Sequence, residues 1–132
     1  MSAKSVAEKL LIGANSTVWS SNRSHLDLLG PLPEGVRLVG KPDKATTALV
    51  FAADAASLRK VLTSHKGQLA QPDVLWVAYP KGNRADINRD TVWPILAEYG
   101  MRPIGQASVD EVWSAMRFRR NRKGEAPFTG GR

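Results

Sequence analysis

The chain contains no cysteine, which excludes thiolate nucleophiles, disulfide bridges and sulfur-ligated zinc. Histidine is almost as scarce. His25 and His65 fall on separate predicted helices, no H-E-x-x-H spacing occurs and no third imidazole exists, so no metal site is expected. A Gly-x-Ser-x-Gly elbow is missing too, and with it the usual presentation of a hydrolytic serine. Long apolar runs are absent: nothing approaches the roughly 20 residues of a membrane span. Leu10-Leu11-Ile12 is too short for the apolar core of a signal peptide. A soluble, cytoplasmic protein with no membrane partner is the expectation.

What is present reads as one domain. The 132 residues suit a single core, and 42% hydrophobic with 23% charged residues is ordinary globular composition. Two runs stand out: Ala48-Leu49-Val50-Phe51-Ala52 and Val74-Leu75-Trp76-Val77-Ala78. Each is too short for a helix and too uniformly apolar for a strand with one wet face. Between them Leu58, Val61, Leu62 and His65 recur at helical spacing, after a cap candidate at Asp54 and before a stop at Gly67. That order predicts a strand–helix–strand crossover in a parallel sheet covered on both faces.

Weaker strands are predicted at 16–19 and 36–39, the second near an edge, and short helices at 5–11 and 23–29. Asn88 or Asp90 opens a later helix with Val92, Ile95, Leu96 and Tyr99 inward. Pro94 within it implies either a cap at Thr91 or a kink. Residues 102–109 and 112–120 alternate in character around Asp110-Glu111, as an antiparallel hairpin does. The predicted fold class is therefore α/β: a three-layer, Rossmann-like, mostly parallel sheet ending in a C-terminal antiparallel hairpin. Residues 1–120 are expected to form the domain and 121–132 a flexible basic tail.

The net charge of +7 is unevenly placed. Six of the nineteen Lys and Arg residues (Arg117, Arg119, Arg120, Arg122, Lys123 and Arg132) lie at 117–132, against the single acid Glu125.

Parallel strands first and an antiparallel pair last is an order similar to that of S-adenosylmethionine-dependent methyltransferases. More narrowly, Leu28-Leu29-Gly30, Leu32-Pro33-Glu34-Gly35-Val36, Leu75-Trp76-Val77-Ala78-Tyr79-Pro80-Lys81 and Asp110-Glu111-Val112-Trp113-Ser114 resemble a bacterial family of short proteins classed as a domain of unknown function. The resemblance implies a trimmed methyltransferase-like sheet, and fold likeness alone carries no activity. Two cofactor features of methyltransferases are missing. The turn after the first strand reads Trp19-Ser20-Ser21-Asn22-Arg23, with no glycine, and the second strand is followed by Gly40-Lys41-Pro42 where an acid should accept ribose hydroxyls. S-adenosylmethionine is therefore not expected as a cofactor.

Open parallel sheets bind ligands at the carboxyl ends of their strands, which selects three segments. Ser20, Ser21 and Asn22 suit either an anion at a helix start or plain helix capping. Asp54 suits a general base or, again, a cap. Lys81 and Arg84, in a Pro- and Gly-containing loop after the most apolar strand, suit a phosphate or carboxylate clamp or an ordinary solvated loop. Separately, Arg117, Arg119, Arg120, Arg122 and Lys123, with Phe118 among them, suit non-specific nucleic-acid contact or a solubilising tail. The sequence thus predicts a non-enzymatic domain acting on a small anionic ligand or an unknown protein partner. A divergent methyltransferase and non-specific nucleic-acid binding are the alternatives, and the oligomeric state stays open.

Overall fold

A computed structural model describes residues 6–65, 67–82 and 85–126. The chain order is α1 (Val6–Lys9), β1 (Thr17–Ser20), a 3₁₀ helix at Arg23–Leu29, β2 (Arg37–Leu38), a 3₁₀ turn at Pro42–Lys44, and β3 (Thr47–Phe51). Then follow α2 (Ala55–Ser64), β4 (Val74–Pro80), α3 (Arg89–Ala97), β5 (Met101–Ser108) and β6 (Trp113–Arg120). Six strands form one sheet in the order β2-β1-β3-β4-β6-β5. The first four are parallel, whereas β6 runs antiparallel to both β4 and β5.

The two apolar runs become the adjacent central strands β3 and β4, with Leu49 opposite Trp76 and Phe51 opposite Ala78. Strand alternation explains why they carry almost no polar residue, since each successive side chain enters a different core. Ala48, Val50, Leu75, Val77, Met116 and Phe118 pack with Leu58 and Leu62 of α2 and with Val92, Ile95 and Leu96 of α3. On the other face Leu49, Phe51, Trp76 and Ala115 pack with Ala7 and Leu10 of the leading segment and with Leu29 of the 3₁₀ helix. Each large side chain fully buried this way stabilises the fold by about 1.5–3 kcal/mol. Trp76 also joins layers by polarity, because its buried Nε1–H donates to the Leu10 carbonyl at 2.9 Å.

Local sequence fixes the element ends. Asn88 is the cap of α3, in a reciprocal box in which its side chain accepts from Thr91 N and Thr91 Oγ1 accepts from Asn88 N. Thr91 is thus the third helical residue rather than the cap, and Pro94 lies inside the helix. At 23–29 the expected short helix is a 3₁₀ helix, capped by Asn22 and closed at Gly30. Gly35, at φ +78°, lets the turn before β2 cross Asn15 closely; an added Cβ would come within 2.9 Å of Asn15 Cγ. Among the described residues no helix is long and apolar enough to cross a membrane.

Candidate functional site

The carboxyl ends of β1, β3 and β4 lie along one rim, as the parallel register requires. At β1, Ser20 Oγ donates to the Asn22 carbonyl at 2.9 Å and accepts from Asn22 N at 3.2 Å. Ser21 N donates to the Leu49 carbonyl at 2.9 Å, and Ser21 Oγ accepts from Phe51 N at 2.8 Å. A side-chain hydroxyl thereby continues the β1–β3 ladder past the last paired residues. Asn22 Oδ1 accepts from Ser24 N at 3.1 Å and Ser24 Oγ at 2.6 Å, capping the 3₁₀ helix. Those three side chains close the turn onto β3; their oxygens are engaged within the fold.

Asp54 is equally committed. Its Oδ1 accepts from Ser57 N at 2.7 Å, and the Ser57 side-chain and backbone hydrogen bonds hold its carboxyl below the ordinary range. A carboxylate kept ionised in this way is a poor proton acceptor near neutral pH. A second acid, Asp86, lies over the same helix start and accepts from Ala55 N at 2.7 Å. Sequence reading missed Asp86: it is 31 residues from its partner and belongs to no periodic or capping pattern of its own.

Lys81 lies on the hairpin side of the rim, one strand further on. Its backbone N donates to the Val112 carbonyl at 2.7 Å, which anchors the residue on the segment leading into β6. Its Nζ donates to Ser108 Oγ at 2.6 Å. The strand between β1 and β4 separates Lys81 from the Ser20–Asn22 turn by about 10 Å, twice the interstrand spacing. Lys81 faces an open cleft of about 450 Å³, lined also by Tyr79, Arg89, Gln106, Ser108 and Ser114. Tyr79 is buried, and its hydroxyl accepts from Gln106 Nε2 at 3.2 Å, fixing one wall. Among the described residues the hydrogen-bond partner of the Lys81 ammonium is a neutral hydroxyl, not a carboxylate. Arg84, the expected second half of the clamp, lies outside the described residues.

Aromatic rings pack beside the rim, where the buried Nδ1 of His25 has no hydrogen-bond partner among the described residues. His25, Phe51 and Trp113 form a ring cluster with centroids 5.0, 5.2 and 5.6 Å apart, so Trp113 packs on the 3₁₀ helix. At the other end of α2, away from the rim, His65 is the C-cap and meets Trp19 edge-on at 4.9 Å. Among the described residues no three His, Asp or Glu side chains assemble as a metal-binding group.

The basic segment is at the opposite, amino edge of the parallel strands, since Phe118 of β6 pairs with Leu75 at the start of β4. Arg117 stays apart from the rest. It sits opposite Trp76, half-buried, with its Nε buried and without a hydrogen-bond partner. Arg119, Arg120, Arg122 and Lys123 line a groove of about 730 Å³. Phe118 is only 1% exposed and forms part of the core, so its ring offers no stacking surface. Of the segment expected to be a flexible tail, Asn121 donates from its backbone to the Gly100 carbonyl at 2.8 Å and accepts at Oδ1 from Arg102 Nε at 2.8 Å. Residues 127–132 lie outside the described residues.

No protein-family model and no curated protein sequence matches the chain. The fold is similar to solved structures. One is a protein of the NADB-Rossmann superfamily from Streptococcus agalactiae, 10% identical, with a TM-score of 0.57 over 98% of this chain and 72% of that one. Another is a Streptococcus pneumoniae protein proposed as a tRNA (m1A22) methyltransferase, 10% identical, with a TM-score of 0.56 over 98% of this chain and 74% of its own. The same S. pneumoniae protein in complex with S-adenosyl-L-methionine gives a TM-score of 0.54 over 95% of this chain. At such identity the likeness is one of fold, a methyltransferase-like Rossmann sheet. The narrower resemblance to a short bacterial family has no matching family model behind it.

Proposed function

We propose that this chain is a non-enzymatic domain that binds a small phosphate- or carboxylate-bearing ligand in the Lys81 cleft of a methyltransferase-like scaffold. The observation that carries the reading is the Lys81–Ser108 contact. Lys81 Nζ donates to Ser108 Oγ, which leaves the hydroxyl proton of Ser108 free to donate outward. An anion in the cleft would meet a buttressed ammonium, that hydroxyl and the Arg89 guanidinium together.

The residues do not fit S-adenosylmethionine where methyltransferases hold it. Ser21 binds the turn after β1 to Phe51 N, and Asp54 and Asp86 already occupy the amides at the head of α2. No step is therefore routed through that cofactor. A divergent methyltransferase is the second reading, favoured by one specific observation: a solved protein of similar fold is described in complex with S-adenosyl-L-methionine.

Titration calorimetry separates the two. Inorganic phosphate should give saturable heat that weakens about tenfold or more in Lys81→Met, as loss of a charged hydrogen bond implies. S-adenosylmethionine should give none. Saturable S-adenosylmethionine binding with the Lys81→Met variant unimpaired would replace the first reading by the second.

A further inference from the structure

The amino-edge groove is built differently from the rim, and its construction is the informative part. Glu125 folds back under the basic segment and takes both ends of the Arg119 guanidinium at 2.9 Å. The same carboxylate accepts from Arg122 N at 2.8 Å and pairs with Arg102 Nη1 at 3.2 Å. Arg102 also donates to Asn121 Oδ1 and to the Ala126 carbonyl. The stretch that follows β6, from Asn121 to Glu125, is consequently buckled back onto Arg119 by one carboxylate and fixed to β5 through Arg102. That one carboxylate is shared by two arginines, while Arg120, Arg122 and Lys123 are left exposed on the groove wall. Opposite them run Gln71, Pro72 and Asp73, so one acid faces three uncompensated cations.

We propose that this groove is a second binding surface, separate from the Lys81 cleft, that holds the phosphate backbone of a single-stranded nucleic acid without reading its sequence. Lys and Arg side chains suffice to hold phosphates, through release of condensed counterions. The buckle sets those cations in advance, so binding does not have to order a loose tail. An acidic protein is the weaker fit. Protein hot spots combine Arg with Trp or Tyr anchors in desolvated pockets; the groove offers the arginines, but its aromatic, Phe118, is sealed into the core. For the same reason no base platform exists on Phe118, and sequence preference is expected to be slight.

The test is fluorescence anisotropy of a labelled 20-nucleotide oligouridylate with the full chain across a salt series. With three phosphate contacts the logarithm of affinity should fall against the logarithm of salt with a slope of about −2. The triple variant Arg120→Ala, Arg122→Ala, Lys123→Ala should weaken binding about tenfold or more at low salt and flatten that slope. A variant losing the same charge elsewhere (Lys9→Ala, Arg23→Ala, Lys60→Ala) should keep most of the affinity, which separates a local surface from net charge. Unchanged melting temperatures establish that all variants are folded. No binding, binding indifferent to the groove triple, or equal loss in both triples would overturn the proposal. Displacement of the oligouridylate by polyglutamate at matched charge concentration would overturn it in favour of an acidic protein partner.

Discussion

The two edges of one sheet use polar residues in opposite ways. Along the carboxyl rim Ser20, Ser21, Asn22, Asp54 and Asp86 are all engaged in closing turns and capping helices. At the amino edge a single acid, Glu125, holds Arg119 and Arg102 and leaves three further cations in solvent. Residues that satisfy backbone donors add stability; residues held apart from their counter-charges do not. The edge that carries ligands in open parallel sheets is therefore, in this chain, mostly structural up to Lys81.

The sharpest way to break the comparison is through the shared core. Phe118 lies beneath the groove yet belongs to the cluster that also holds α2 and α3. Phe118→Ala should lower unfolding free energy by about 3–5 kcal/mol in a urea titration. A loss near zero would mean the groove floor is not core, and base stacking on Phe118 would return as a possibility. Next in size is Gly35→Ala. A positive φ and the close approach to Asn15 both oppose a Cβ, so a loss of about 1–3 kcal/mol is expected. A smaller loss would show that Asn15 simply moves aside.

Capping tests the rim directly. Asp54→Ala and Asp86→Ala each remove an acceptor from a different amide of α2, and each should cost about 1 kcal/mol. The sign matters more than the size. A gain in stability in either variant would mark that carboxylate as held against its own preference, as functional residues often are, and the rim would have to be reread as a site.

How much of this was legible in the chain follows from range. The buried runs of β3 and β4, the cap at Asp54, the helix start at Asn88 and the hairpin depend on local period and capping chemistry, and each sits where its neighbours in sequence require. The 3₁₀ form of residues 23–29 was not legible, because Leu26 and Leu29 fit three residues per turn as well as 3.6. Every pairing that defines a site was out of reach for a different reason. Lys81 with Ser108 spans 27 residues, Ala55 with Asp86 spans 31, and Arg102 with Asn121 spans 19; no local pattern encodes them. The Arg102–Glu125 ion pair, between residues far apart in sequence, is equally invisible to composition.

The smallest expected effect is also the most local. Hydrogen bonds from Arg119 and Arg122 N, with the nearby Arg102 charge, push the Glu125 carboxyl down from 4.5 to about 2. Because the folded value lies below the unfolded one, the buckle contributes its full stabilisation above about pH 4.5 and loses it as the pH falls towards 2. Asp54 is lowered as well, chiefly by Ser57, so both edges keep their carboxylates ionised near neutrality. Amide shifts followed by NMR should show Arg122 moving with a midpoint near 2, and Ser57 with a midpoint below 3.8. In Glu125→Gln the Arg122 transition should vanish while the Ser57 transition stays. An Arg122 midpoint at the ordinary carboxylate value would mean the loop is not buckled in solution, and the contrast between a capped rim and a pre-set basic groove would fail at its amino edge.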